Sequence, residues 1–390
     1  MKLGILTYHS QQNYGGLLQC WALKAFLEKQ GHEVQVIDRW FDEKNKALER
    51  EYPQWSMGAW AKFFLRGALG LGDFGLWLRH WRTKRFLQQK LNLTPYHFVE
   101  WADAPPELGV DAIVVGSDQV WYCGEPGVFL LEGANLQGVR RVISYAASFG
   151  RKEIPPEFDA VFQHGWTRFS ALSCREREGV EICKRLGFQA TQVVDPTLLL
   201  TQADWGKMLR LKHKQGKRTR LFCYFMSVDA AAALPVLENY AERINGEVDL
   251  FVNNGVSFLR PIPRSFSALL AKRKRRGAGG VHVHLGAGPL EFAQTIGVAT
   301  QVITDSFHGL MFSAIFGCNA RFIRPSTSFR AEMFGRIAEF AAKYVRGPLF
   351  FDNVSDAMRS LEQEPRLTYN EPALASIQET SRRWLLDNLL

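Results

Sequence analysis

The sequence predicts a two-domain α/β protein built on two parallel sheets, and three observations carry that prediction. Short apolar runs alternate with segments of helical periodicity along most of the chain, the pattern of β-α-β units with right-handed crossovers. The 390 residues exceed one ordinary domain and suffice for two, each with its own core. Hydrophobic residues make up 46% of the chain and charged residues 22%, a globular balance.

The first unit runs from a strand over residues 3–7, through a helix over 17–30, to a strand over 34–37. Asn13-Tyr14-Gly15-Gly16 opens that helix and Gly31 closes it. A helical insertion follows over 45–100. Within it, Trp55, Trp60, Phe63, Phe64, Trp77, Trp81 and Phe86 interleave with Lys62, Arg66, Arg79, Arg82, Lys84 and Arg85, and residues 55–90 hold one acid, Asp73. Such helices either lie among lipid headgroups or cover the core with a solvated basic face.

The strand pattern resumes at 112–115, ending in Gly116-Ser117-Asp118, and at 141–145, ending in Ala146-Ala147-Ser148. Shorter strands are expected at 172–174 and at 192–194, the latter stopped by Asp195-Pro196. These elements make a first domain over 1–208. Residues 209–220 are polar and basic and read as a linker. Runs at 221–225, 248–252, 281–285, 301–304 and 320–323 make a second parallel layer, so the second domain spans 209–370. A final helix over 371–390 is expected to pack back on the first domain.

The formal charge of +9 points to anionic company: nucleic acid, an anionic membrane surface or a phosphorylated small substrate. No nucleic-acid module accompanies the charge, so nucleic acid is not expected as a partner. The run Lys272-Arg273-Lys274-Arg275-Arg276 reads either as a solvated loop or as a contact for a diphosphate lipid. Six cysteines, Cys20, Cys123, Cys174, Cys183, Cys223 and Cys318, form no CxxC pair, which argues against a disulfide framework or structural metal and for a reducing compartment. His282 and His284 alternate along one strand without a third ligand, so no metal site is expected. The amino terminus turns polar after a few residues and no run of eighteen apolar residues occurs, so the expected location is the cytoplasm, with any membrane contact peripheral at its inner face.

Parallel α/β sheets gather ligands at the carboxyl ends of their strands, and the candidate site residues lie there. Thr304-Asp305-Ser306-Phe307-His308-Gly309 joins a strand to a helix, where free backbone N–H groups and a protonatable histidine suit an anion. The alternative is a cap at Asp305 or Ser306 with His308 packed in the core. Arg175 and Arg177 follow a short strand, and the planar fork of Arg175 suits carboxylate or phosphate; a surface ion pair with Glu178 or Glu181 is the alternative. Asn13-Tyr14-Gly15-Gly16 lets backbone approach a ligand and matches neither a dinucleotide fingerprint nor a nucleoside triphosphate loop. Asp118, Gln119 and Trp121 supply a carboxylate, an amide and an aromatic platform for a sugar. Asp195-Pro196-Thr197 reads as the end of a strand rather than as chemistry.

Together these segments resemble the polysaccharide pyruvyl transferase family. The matching pieces are Gly4-Ile5-Leu6-Thr7 with Asn13-Tyr14-Gly15-Gly16, Gly116 to Trp121, Ile143 to Gly150, Arg175 to Gly179, Val194 to Thr197 and Thr304 to Gly309, in one order over about residues 1–325. The resemblance implies a GT-B-like fold of two Rossmann-like domains facing a cleft. It also implies transfer of pyruvate from phosphoenolpyruvate onto two hydroxyls of a glycan, with no cofactor besides that co-substrate. On it, His308 and Asp118 are the expected catalytic acid and base. Arg175, Arg177, Ser306, His308 and Gly309 face the donor; Asn13, Tyr14, Gly15, Gly16, Gln119 and Trp121 face the acceptor, which is either a polysaccharide or a lipid-linked repeat unit. Some members carry Arg-Leu-His where this chain has Ser306-Phe307-His308. A nucleotide-sugar glycosyltransferase and a non-catalytic membrane-associated assembly partner are the competing readings.

Overall fold

The computed structural model describes residues 1–9, 13–40, 73–123, 126–211, 219–252, 280–325 and 328–389. The first sheet consists of β1 (Lys2–Leu6), β2 (Glu33–Arg39), β3 (Leu93–Phe98), β4 (Ala112–Val115) and β5 (Arg141–Ser144). Its strands are all parallel, in the order β3-β2-β1-β4-β5. Two short parallel strands, β6 (Leu172–Cys174) and β7 (Ala190–Gln192), extend it through bridges from Ile143 to Ala171 and from Ala147 to Cys174. β7 ends at the residue where the expected strand over 192–194 begins.

The second sheet holds β8 (Arg220–Phe225), β9 (Glu247–Val252), β10 (Gly280–His284), β11 (Gln301–Thr304), β12 (Asn319–Ile323) and β13 (Phe350–Phe351). These too are all parallel, ordered β10-β9-β8-β11-β12-β13. Every residue of β4 is apolar and buried, as a strand covered on both faces requires, and β12 is buried throughout although it carries Asn319 and Arg321.

Between the sheets lies α1 (Tyr14–Lys29), buried on almost every side, as its lack of a polar face requires. Its side chains join a core that runs through both domains: Leu3, Trp21 and Val114 from the first, Phe222, Phe251 and Phe292 from the second. Tyr14 stacks on Phe292 at 4.7 Å and meets Tyr224 and Phe251 edge-on. Such ring pairs each add about 0.5–1.5 kcal/mol beyond area burial.

The insertion differs from its expected form. Its described part is helical over α2 (Asp73–Phe86) and a π turn (Leu87–Leu91), and it then supplies the edge strand β3. Pro95 lies in that strand, and a sheet edge is where a residue lacking an N–H is tolerated. The basic face of α2 is also partly turned inward. Arg79 is buried, its guanidinium 4.3 Å from the Tyr14 ring centre and donating to the Val252 carbonyl at 3.0 Å. Arg82 donates to the Gly286 carbonyl at 2.8 Å and pairs with Glu291 at 3.2 Å. These arginines clasp the second domain, and Trp81, Lys84 and Arg85 form the exposed face. Trp55, Trp60, Lys62, Phe63, Phe64 and Arg66 lie outside the described residues, as do the basic run at 272–276 and most of the linker.

The last helix, α5 (Glu371–Asp387), contacts the first domain: the Ser381 hydroxyl accepts from the Val194 N–H at 3.0 Å, and Arg382 donates to the Leu199 carbonyl at 2.9 Å. Among the described residues no helix is long and apolar enough to cross a membrane. The described residues also hold no group of three or more metal-ligating side chains; His284 pairs with Asp249 at 2.7 Å and stacks on Phe251 at 4.4 Å.

Candidate active site between the domains

Two helices begin at the domain boundary. The Asn13 carboxamide oxygen accepts from the backbone N–H of Gly15 at 3.0 Å and of Gly16 at 3.4 Å, capping α1. In the second domain α3 (Phe307–Phe316) is capped by Ser306, whose hydroxyl accepts from the Gly309 N–H at 3.5 Å. Neither helix carries an acidic residue in its first turn. Both amino termini therefore keep their partial positive charge for another anion.

His308 crosses from the second domain onto the first. It is 8% exposed, and its Nδ1 would lie 2.0 Å from a β-carbon added at Gly15, so only glycine fits beneath the ring. Its Nε2 lies 3.5 Å from Asp195 Oδ2, an ion-pair distance when the imidazole is protonated, and makes no hydrogen bond among the described residues. Asp195 is fully enclosed: Oδ1 accepts from the Thr197 N–H (3.0 Å) and hydroxyl (2.7 Å), and Oδ2 from Arg175 (3.0 Å) and the Ser117 hydroxyl (3.4 Å). Burial opposes its ionisation, but His308, Arg175 and Thr197 outweigh burial and hold the carboxyl well below the usual range.

Arg175 also donates to Glu176 at 2.9 Å and stacks 4.6 Å from the Phe307 ring centre. Against the penalty of burial, Glu176, Asp195 and Asp118 raise its pKa above the ordinary value. Arg336 of α4 (Ser328–Tyr344) joins the same cluster, 4.8 Å from the Phe307 ring centre. Among the described residues its nearest carboxylate, Glu176, is 3.6 Å away, and its Nε and Nη1 are buried without hydrogen-bond partners. Burial first, and then the neighbouring Arg175, lower its pKa to about 10, which leaves it charged at neutral pH. Buried N–H donors without acceptors are costly, and an anion beside them removes that cost.

Beside this cluster lies a cavity of about 360 Å³. The first domain supplies Tyr8, Asn13, Asp118, Gln119 and Tyr122; the second supplies Asp305, Ser306, Phe307, His308 and Arg336, with apolar cover from Met226, Phe322, Pro325 and Ile337. Asp118 holds a left-handed backbone, φ 78°, at the end of β4, a strained conformation of the kind found at binding sites. No hydrogen bond reaches its carboxylate among the described residues. Asp305 has no such freedom. Its oxygens accept from the N–H groups of Met226, Ser227 and Val228 and from the Ser227 hydroxyl, so it braces the end of β8 rather than capping α3.

Of the residues expected at the site, the structure brings Asn13, Asp118, Gln119, Ser306 and His308 to one cavity. Tyr14 is elsewhere: its ring is buried in the interdomain core, where its hydroxyl donates to the Ala287 carbonyl at 2.9 Å. Trp121 is also misplaced by the sequence reading, being fully buried against Phe149 and Trp166. Arg177 points outward, its side chain 74% exposed. Arg175 lies behind Phe307, outside the cavity. Gly15 and Gly16 make room for His308 and Asp118, and Gly309 lets α3 close on Thr304. Arg336 was not identified from sequence, because nothing sets it apart from the other cations of a helix. Asp195 was read as a strand end, and its Asp-Pro-Thr turn gives no sign of what lies across the boundary.

A family model described as polysaccharide pyruvyl transferase matches residues 13–327. A comparison with curated proteins finds no match. Among solved structures, the UDP-GlcNAc 2-epimerase of Methanocaldococcus jannaschii superposes over 99% of this chain and 100% of its own, at 14% identity and a TM-score of 0.52. The UDP-GlcNAc 2-epimerase of Neisseria meningitidis, solved bound to UDP-GlcNAc, is similar over 100% of this chain and 99% of its own, at 8% identity and a TM-score of 0.54. At these identities the likeness establishes a GT-B fold.

Proposed function

The chain belongs to the polysaccharide pyruvyl transferase family, a family of transferases, and on that premise we propose that it moves pyruvate from phosphoenolpyruvate onto two hydroxyls of one sugar. The observation that carries this reading is the cavity between the domains, where Arg336 and two helix amino termini without an acid in their first turn face one small space. Phosphoenolpyruvate has two anionic groups, and Arg336 with the start of α3 is suited to clamp them.

The reaction balances without a cofactor. C3 of the enol gains a proton as one sugar hydroxyl bonds to C2 and loses its own. The second hydroxyl then bonds to C2, the C2–O bond to phosphate breaks with its electron pair leaving on phosphate, and the departing phosphate takes the proton of that second hydroxyl. His308 is proposed as the acid or the partner of the donor phosphate. Asp118, with Gln119 beside it, is proposed as the base at the acceptor hydroxyl. A positioned acid or base is worth about 10²- to 10⁴-fold in rate.

The acceptor is proposed to be a polysaccharide or lipid-linked repeat unit met in the cytoplasm at an anionic membrane surface. Trp81, Lys84 and Arg85 support that location, because they pair an aromatic ring with charge on an exposed helix face. The test is phosphate release from phosphoenolpyruvate with extracted lipid-linked glycans. The reading expects release that needs both components and is lost in His308→Ala. No release with phosphoenolpyruvate, together with a thermal shift from a nucleotide sugar, would replace it with glycosyl transfer.

A further inference from the structure

We infer that Asp195 is the positioning carboxylate of His308, supplied across the domain boundary from the turn after β7. The inference rests on the pyruvyl-transfer reading and assigns a role to a residue that the cavity does not contain. Its basis is the asymmetry of the contact. Asp195 is 2% exposed and fixed by four donors from Ser117, Arg175 and Thr197, so it cannot follow His308 if the ring moves. His308 has a buried Nε2 without a hydrogen bond, 3.5 Å from Asp195 Oδ2, and its other ring nitrogen faces Gly15. Among the described residues no other carboxylate reaches ion-pair distance of His308.

A shift of about half an ångström turns that approach into a hydrogen bond. The carboxylate would then select the ring's orientation and steady its protonated form, as an aspartate does for a catalytic histidine elsewhere. The ring and the carboxylate come from different domains, so the histidine is oriented only when the two domains are apposed. The alternative is that Asp195 serves only Arg175 and the turn at Pro196–Leu199.

A double-mutant cycle separates these. Asp195→Asn should lower kcat about 10²- to 10⁴-fold with little change in KM for phosphoenolpyruvate, and should cause no further loss in a His308→Ala background. Thr197→Val, which removes one donor and keeps the charge, should give a smaller kcat loss that also vanishes with His308→Ala, and it serves if Asp195→Asn fails to fold. Losses that add in the His308→Ala background overturn the inference. If the wild-type protein releases no phosphate from phosphoenolpyruvate, the functional reading has failed, and the pair is then judged on melting temperature. Sub-additive losses for Asp195→Asn and His308→Ala support the contact, and additive losses refute it.

Discussion

The helices α1 and α3 begin at the same cavity with the same construction and opposite second residues. Each has a neutral polar cap, Asn13 or Ser306, no acid in its first turn, and side chains buried on nearly all sides. The second residue of α1 is Gly15, which leaves a hollow; the second residue of α3 is His308, which fills it. On the proposed mechanism the first helix is thus the seat and the second carries the acid. The lesson is that a glycine near a ligand site need not touch the ligand, because here its missing β-carbon places another residue.

The largest expected effect breaks that pairing. Gly15→Ala puts a β-carbon 2.0 Å from His308 Nδ1, so the ring must leave its place. Displacements of this size cost on the order of 10²-fold in rate, and transfer activity should fall accordingly while far-UV circular dichroism stays native. Unchanged activity would mean that His308 does not work from that seat. Next, Arg336→Met should weaken phosphoenolpyruvate binding by about tenfold or more, since a charged hydrogen bond is worth about 1.5–3 kcal/mol. Its melting temperature should not fall, because the variant removes a buried cation with unmet donors.

A third test uses pH. Folding holds the Asp195 carboxyl below its ordinary value of 3.8, burial being outweighed by His308, Arg175 and Thr197. Its stabilisation is therefore fully present above about that value and lost as pH falls through the lower folded value. Asp195→Asn should cost about 3–5 kcal/mol at pH 7, as broken buried ion pairs do, and the gap to wild type should narrow below pH 4. A gap that is constant with pH would show that the carboxylate's charge does not hold the turn. The smallest effect is expected at Arg177→Ala, whose exposed side chain pairs, among the described residues, only with Glu181 at 3.9 Å. Activity and melting temperature should stay within error of wild type.

The sheets were legible because parallel strands buried on both faces must be written as apolar runs. β4, β6 and β11 fall on the expected residues. The edge strand β3 was hidden by Pro95 and by aromatic neighbours that read as helix, since an edge strand needs no continuous apolar run. At the site, strand ends pointed to Asp118, Ser306 and His308. They could not tell which side chains turn inward: Tyr14 and Trp121 sit beside cavity residues in sequence and are taken up by cores on either side. Arg336 comes from a helix beyond the last strand-end motif, and only the folded chain brings it over Phe307.

On the proposed function the interdomain cavity binds an anionic three-carbon donor through Arg336. Titration calorimetry with phosphoenolpyruvate on the wild type and on Arg336→Met tests it most directly. The expected result is one site per chain for the wild type and at least about tenfold weaker binding for the variant. Equal affinity in the two proteins, or no binding to either, would contradict it.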